Sequence, residues 1–96
     1  IEWMEEFLLN SPTPVLKIEK EGVITYSNEA GKPLIEEWGS IPGGKVPLNI
    51  QKIVRKAAFR RKSEFLELKA GEKTYLATFV PSADGKYTVL HTSDIN

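Results

Sequence analysis

An α+β domain is the fold class the sequence predicts, and three observations carry the prediction. Two short stretches alternate apolar and polar residues on either side of a Glu-Gly pair, the middle of the chain changes to helical spacing, and three further alternating stretches close it. The strand-like stretches follow one another through short turns, with no repeated strand-helix-strand crossover of the kind a parallel sheet requires. The chain has 96 residues, 41% of them hydrophobic and 27% charged, which fits one domain. A chain of that length buries roughly 60–65% of the surface it exposes when unfolded, enough to fold alone with little to spare.

The elements follow in order. Over residues 1–9, Trp3, Phe7 and Leu8 lie within helical reach beside Met4, with Glu2, Glu5 and Glu6 between them, so a short amphipathic flanking helix is expected before the "NSPTP" stop. The domain proper is then 10–96. The sequence opens at Ile1, inside that first helix, and is expected to be a segment of a longer protein. "VLKIEK" places Leu16 and Ile18 on one face and Lys17 and Glu19 on the other, as a half-buried strand does. Glu21 and Gly22 supply a turn, and "VITYSN" continues the alternation with Ile24 and Tyr26 expected on one face, completing a hairpin.

Asn28 suits a helix N-cap, its side-chain oxygen accepting from the amide of Ala30 or Gly31. Ala30, Leu34, Ile35 and Trp38 follow at helical spacing. Pro33 interrupts it, so either the helix kinks there or one turn ends and a second starts with Pro33 at its first position. "GSIPGGKVP", residues 39–47, holds three glycines and two prolines and reads as a flexible connection. From 47 to 62 a longer helix is expected, because Ile50, Ile53, Val54, Ala57 and Ala58 trace one apolar stripe. "SEFLELKA", "KTYLATFVPSA" and "KYTVLHTSDI", joined by Gly-Glu and Asp-Gly turns, predict a three-strand meander.

Composition excludes several function classes. Thirteen basic residues balance thirteen acidic ones, so no net field gathers nucleic acid or an anionic membrane surface. The chain has no cysteine, which removes disulfides, thiolate metal sites and thiol nucleophiles and is compatible with a reducing, cytoplasmic setting. No apolar run reaches the roughly 18 residues a spanning helix needs, and no secretory signal is present. The serines have only His91 as a conventional base, and Asp84 and Asp94 sit apart in a turn and at the chain's end, so an enzyme is not expected.

The ordered series of a G-x-I-x-Y-x-N stretch entering a helix ("GVITYSN"), a mid-domain helix, a Y-x-A-x-F-x-P strand ("YLATFVP"), a D-G turn and a last strand ending in "DIN" resembles a PAS domain. It is similar to those of prokaryotic, particularly archaeal, sensor histidine kinases, over nearly the whole chain from Leu9 to Asn96. The resemblance implies a five-stranded antiparallel sheet of order 2-1-5-4-3, with helices over one face enclosing a core or a small ligand cavity. It also implies a sensory module that hands its state to an output helix at Asp94, Ile95 and Asn96, where a kinase or other effector follows. Asn96 stands where the family has threonine, and either Asn96 or Asp94 is suited to cap that helix. The alternative function is a ligand-free association module, a homodimer held partly by Trp3 and Phe7.

Within this family the flavin adduct and the thioether-held chromophore both need a cysteine, and haem members use a histidine on the mid-domain helix. The chain has neither, so a covalent flavin or chromophore is excluded and haem is not expected. The apolar set Leu16, Ile18, Ile24, Tyr26, Leu34, Trp38, Ile53, Val54, Ala57, Phe79 and Leu90 is expected to converge, either filling itself or enclosing a small molecule. Tyr26, Trp38, Ile53, Ala57, Phe79 and Leu90 are the candidate pocket residues, with Tyr26 and Trp38 supplying polar contacts. His91 shares a strand face with Tyr87 and Val89 and reads as a packed sheet histidine more than as a pH- or metal-sensitive residue; no metal is expected. Gly39–Lys45 matches G-x-x-x-x-G-K, but Val46 follows where a phosphate loop needs serine or threonine, so chance explains it. Arg55, Lys56, Arg60, Arg61 and Lys62 form the strongest charge cluster, read chiefly as cations favoured at a helix C-terminus.

Overall fold

The structure, a computed structural model, describes residues 11–95. The expected helix over 1–9, with Trp3 and Phe7, lies outside the described residues, as does Asn96. The elements are β1 (Val15–Glu19), β2 (Ile24–Ser27), a 3₁₀ turn (Glu29–Gly31), α1 (Lys32–Glu37), α2 (Leu48–Arg60), β3 (Glu64–Ala70), β4 (Lys73–Pro81) and β5 (Tyr87–Asp94). The strands form one five-stranded sheet in the order β2-β1-β5-β4-β3, antiparallel at every pairing. This is the α+β architecture and strand order expected from the sequence and its resemblance.

The register explains which residues become core. Leu16 stands opposite Leu90, Leu90 opposite Phe79, and Leu66 opposite Ala77, so one face carries a continuous apolar surface across four strands. Leu34 and Ile35 from α1 and Ile50, Val54 and Ala57 from α2 close onto it in one buried cluster. Fully burying a Leu, Ile, Val or Phe side chain contributes about 1.5–3 kcal/mol, so this layer is the main stabilising feature. The expected α2 stripe is matched at Ile50, Val54 and Ala57, while Ile53 and Ala58 are half-buried at its margin.

Three expectations need correction. Ile24 and Tyr26 do not share a face, because Lys17 pairs with Tyr26 while the next residue, Ile18, pairs with Ile24, leaving Thr25 as the extra residue of a bulge. A one-residue slip in a strand reverses its side chains, so Ile24 enters the core cluster and Tyr26 does not. α2 is shorter than 47–62, because Pro47 is its N-cap and Arg61 leaves helical geometry at φ 55°, ψ 38°. The 39–47 segment is not a loose connection. Ile24 donates to Gly44 O at 2.8 Å, Gly43 to Ile24 O at 3.0 Å and Val46 to Gly22 O at 2.9 Å, so the segment covers the free edge of β2. The Gly43 and Val46 amides are engaged in that pairing and cannot cradle a phosphate.

Pro33 resolves in favour of two separate turns. The 3₁₀ turn ends at Gly31 and α1 begins at Lys32, which places Pro33 within the first turn of α1, where its missing N–H costs no helical bond. At the opposite end of α1, Glu37 Oε1 accepts from the Gly71 amide at 3.0 Å and ties the helix to the β3–β4 turn.

Candidate functional site

The best-built polar feature is the strand-to-helix junction at Asn28, which is 1% exposed. Its Oδ1 accepts from Gly31 N–H at 2.9 Å, the capping bond the sequence suggests, and also from Val15 N–H at 3.0 Å. Its Nδ2 donates to Thr13 O at 2.9 Å and Ser11 O at 3.3 Å, and its own backbone N–H donates to Val15 O at 3.1 Å. A buried amide side chain is costly unless its donors and acceptors are used, and here both ends of the amide are used twice. Gly31 packs closely beside it. A Cβ there would meet Leu16 Cδ1 at 2.8 Å and collide with Ser27 Oγ.

The network continues to the exit strand. Thr13 Oγ1 donates to Thr92 O at 3.0 Å, and the buried Thr92 hydroxyl donates to Pro14 O at 2.8 Å. One polar node therefore joins the start of the helical layer, the segment leading into β1 and the end of β5. Asp94 ends β5, and Ile95 N–H donates to Thr74 O at 3.1 Å, which carries the sheet pairing to the expected output junction. Sequence reasoning found Asn28 as a cap but not Ser11, Thr13 or Thr92: Ser11 and Thr13 meet Asn28 across a strand pairing, and the Thr13–Thr92 bond joins positions 79 residues apart in the chain.

The candidate pocket residues divide into two groups. Ala57, Phe79 and Leu90 are fully buried in the core, and Trp38 and Ile53 are half-buried against it. Tyr26 lies apart, lining a groove of about 470 Å³ with Ile24, Lys32, Pro42 and Gly43 at the β2 edge. Its hydroxyl is buried without a hydrogen-bond partner, as is that of Thr88 on the core face of β5. His91 falls on the opposite face of the sheet, opposite Val15 and Thr78, and is exposed. Among the described residues, no three His, Cys, Asp or Glu side chains converge as a metal site. No helix among them is long and apolar enough to cross a membrane.

No family model matches the sequence, and no curated protein matches it. Solved structures do match by fold. A domain of an HTR-like protein from Haloarcula marismortui ATCC 43049 superposes with a TM-score of 0.63 at 16% identity, covering 90% of this chain and 100% of that one. A sensory box sensor histidine kinase from Vibrio cholerae gives 0.61 at 18% identity, covering 99% and 91%. The PAS domain of BvgS from Bordetella pertussis gives 0.59 at 19% identity, covering 99% and 84%. With the sheet order, the helices over one face and the Asn28 junction in place, these likenesses establish that the chain has the PAS fold.

Proposed function

We propose that the chain is a non-catalytic sensory module of a multidomain signalling protein, with a sensor histidine kinase as the favoured host. In this reading it passes the state of a small-molecule ligand or partner to a C-terminal output helix that begins around Asp94, Ile95 and Asn96, in a cytoplasmic setting. The observation that supports it is the Asn28 node. A displacement at Gly31 is carried through the Asn28 amide to the 11–14 segment, which is bonded twice to Thr92 on the exit strand, by the Thr13 hydroxyl to Thr92 O and by the Thr92 hydroxyl to Pro14 O. The likeness to PAS domains of sensor histidine kinases supports the choice of host. Since α2 carries no histidine and the chain no cysteine, the signal in this reading is not haem held by that helix or a thiol adduct.

The test is a chimera in which this chain replaces the PAS domain of a characterised sensor kinase, compared with the same chimera carrying Thr92→Val. Thr92→Val removes the hydroxyl bond to Pro14 O while keeping the side chain's volume. An allosteric coupling of ordinary size predicts a change in autophosphorylation of about fivefold or more. Equal output from the two chimeras, with both folded, counts against the relay. Native mass spectrometry of the freshly purified chain, with an absorption spectrum, shows whether a small molecule accompanies it.

A second reading, association without a ligand, is favoured by one observation. On the sheet face away from the helices, Phe65 is 64% exposed, and Leu76 and Val80 on the neighbouring strand are each 37% exposed. Mass in solution measured over a range of concentrations, for the chain and for Phe65→Glu, separates the two readings. A strict monomer in both forms removes the second.

A further inference from the structure

We propose that the cleft between the C-terminal half of α2 and the two hairpin turns beside it docks an acidic, leucine-bearing segment of a partner protein. The cleft measures about 370 Å³ and is lined by Lys20 from the β1–β2 turn, Arg55, Phe59 and Arg61 from α2 and its end, and Asp84 and Gly85 from the β4–β5 turn. The Lys20 amide donates to Lys86 O at 3.2 Å, which holds the two turns together as one wall.

Four features of this cleft point to such a partner. First, its cations are unpaired. Lys56 lies 3.6 Å from Glu64, but among the described residues Lys20, Arg55 and Arg61 form no ion pair. Second, the helix macrodipole does not account for them all, because it favours cations only within the last turn and Arg55 lies more than a turn before Arg60. Third, Phe59 is 90% exposed, on the same helix face as Arg55 one turn earlier, which offers an apolar contact among the charges. Fourth, Arg61 occupies a left-handed position at φ 55°, where glycine is the residue that caps a helix without strain. A strained arginine at the mouth of a cleft marks a place where its side chain matters more than its backbone comfort.

The chemistry favours a peptide over a nucleic acid. Asp84 also lines the cleft, with Oδ1 accepting from Lys86 N–H at 3.0 Å and from the Ser82 hydroxyl at 2.7 Å. Those bonds keep it ionised, and a fixed carboxylate repels a dense run of phosphates. Sparse carboxylates can be placed around it on Lys20, Arg55 and Arg61. The chain's balanced charge, thirteen against thirteen, also lacks the field that gathers polyanions.

The experiment is a titration of the ¹⁵N-labelled chain, at low salt, with a synthetic peptide of alternating glutamate and leucine. Parallel titrations use the lysine-for-glutamate peptide, an all-glutamate peptide, a single-stranded oligonucleotide and phosphatidylserine vesicles. Supporting results are saturable shifts centred on Lys20, Arg55, Phe59, Arg61 and Gly85, affinity about tenfold weaker in Arg55→Glu, and loss in Phe59→Ala of the preference for the leucine-bearing peptide. Arg61→Gly separates binding from folding. It weakens the peptide complex while leaving the thermal midpoint unchanged or raised, the reverse of what a merely structural arginine does. Overturning results are no saturable shift, shifts centred elsewhere, equal binding of the lysine peptide, or tighter binding of the oligonucleotide or vesicles at these residues.

Discussion

The two ends of the β1–β5 strand pair are built on opposite principles. At the end where Val15 meets His91, the buried polar side chains Asn28 and Thr92 find partners, and the network reaches from Ser11 to the exit strand. At the other end, where Ile18 meets Thr88, the Thr88 hydroxyl is buried without a partner, and Lys20, next in the chain after Glu19, forms no ion pair among the described residues. A satisfied network stiffens and fixes geometry, because each bond lost strands a partner in a low-dielectric interior. Unused polar groups and charges leave interaction energy available to something outside the fold. The first end is suited to holding and transmitting shape, the second to being altered at little cost or to meeting a partner.

That contrast is open to direct attack by substitution. The largest effect is expected for Asn28→Ala, which strands donors and acceptors of Val15, Gly31, Thr13 and Ser11 at once and is expected to destabilise by about 3 kcal/mol. Urea denaturation measures it, and a loss below about 1 kcal/mol breaks the contrast at its stronger end. Gly31→Ala, which drives a methyl group toward Leu16 and Ser27, is expected to lose about 1–3 kcal/mol in the same assay. At the other end the sign reverses. Thr88→Val exchanges an unpartnered hydroxyl for a methyl of similar size and is expected to be neutral or up to about 1 kcal/mol more stable. A clear loss of stability there means that the Thr88 hydroxyl has a role in the folded protein.

The smallest expected effect concerns pH at the β4–β5 turn. The Lys86 backbone amide, then the Ser82 hydroxyl, hold the Asp84 carboxyl below its ordinary value of 3.8. A carboxylate with a depressed folded-state value contributes its stabilisation above the unfolded value and loses it as pH falls through the folded one. The Lys86 amide resonance is therefore expected to titrate below pH 3.8, while the Asn28 side-chain amide resonances stay in place over the same range. Movement of the two together indicates that the ends of the sheet are not independent.

Much of the architecture was legible because its signals are local. The α2 stripe and the three turn pairs are properties of neighbouring residues, and within the described residues each element formed close to where its period placed it. The Asn28 cap was legible for the same reason, since its partner Gly31 is three residues away. Tyr26 was misplaced because nothing in "VITYSN" signals that Thr25 will bulge. That choice belongs to the pairing with β1, where Lys17 and Ile18 are adjacent and their partners are not. The pinned 39–47 segment was missed likewise, because glycine and proline content describes backbone freedom and not whether a sheet edge lies alongside.

What the sequence determined by itself is the set of elements, the helical face that becomes apolar and the absence of thiol chemistry, all of which follow from residue type and short-range spacing. Tertiary structure alone decided that Ser11, Thr13, Asn28 and Thr92 form one network, and that Lys20, Arg55, Arg61 and Asp84 border one cleft. The physical reason is range. Periodicity reports which side of its own element a residue occupies, whereas a hydrogen bond or a charged cleft depends on which distant element comes to face it.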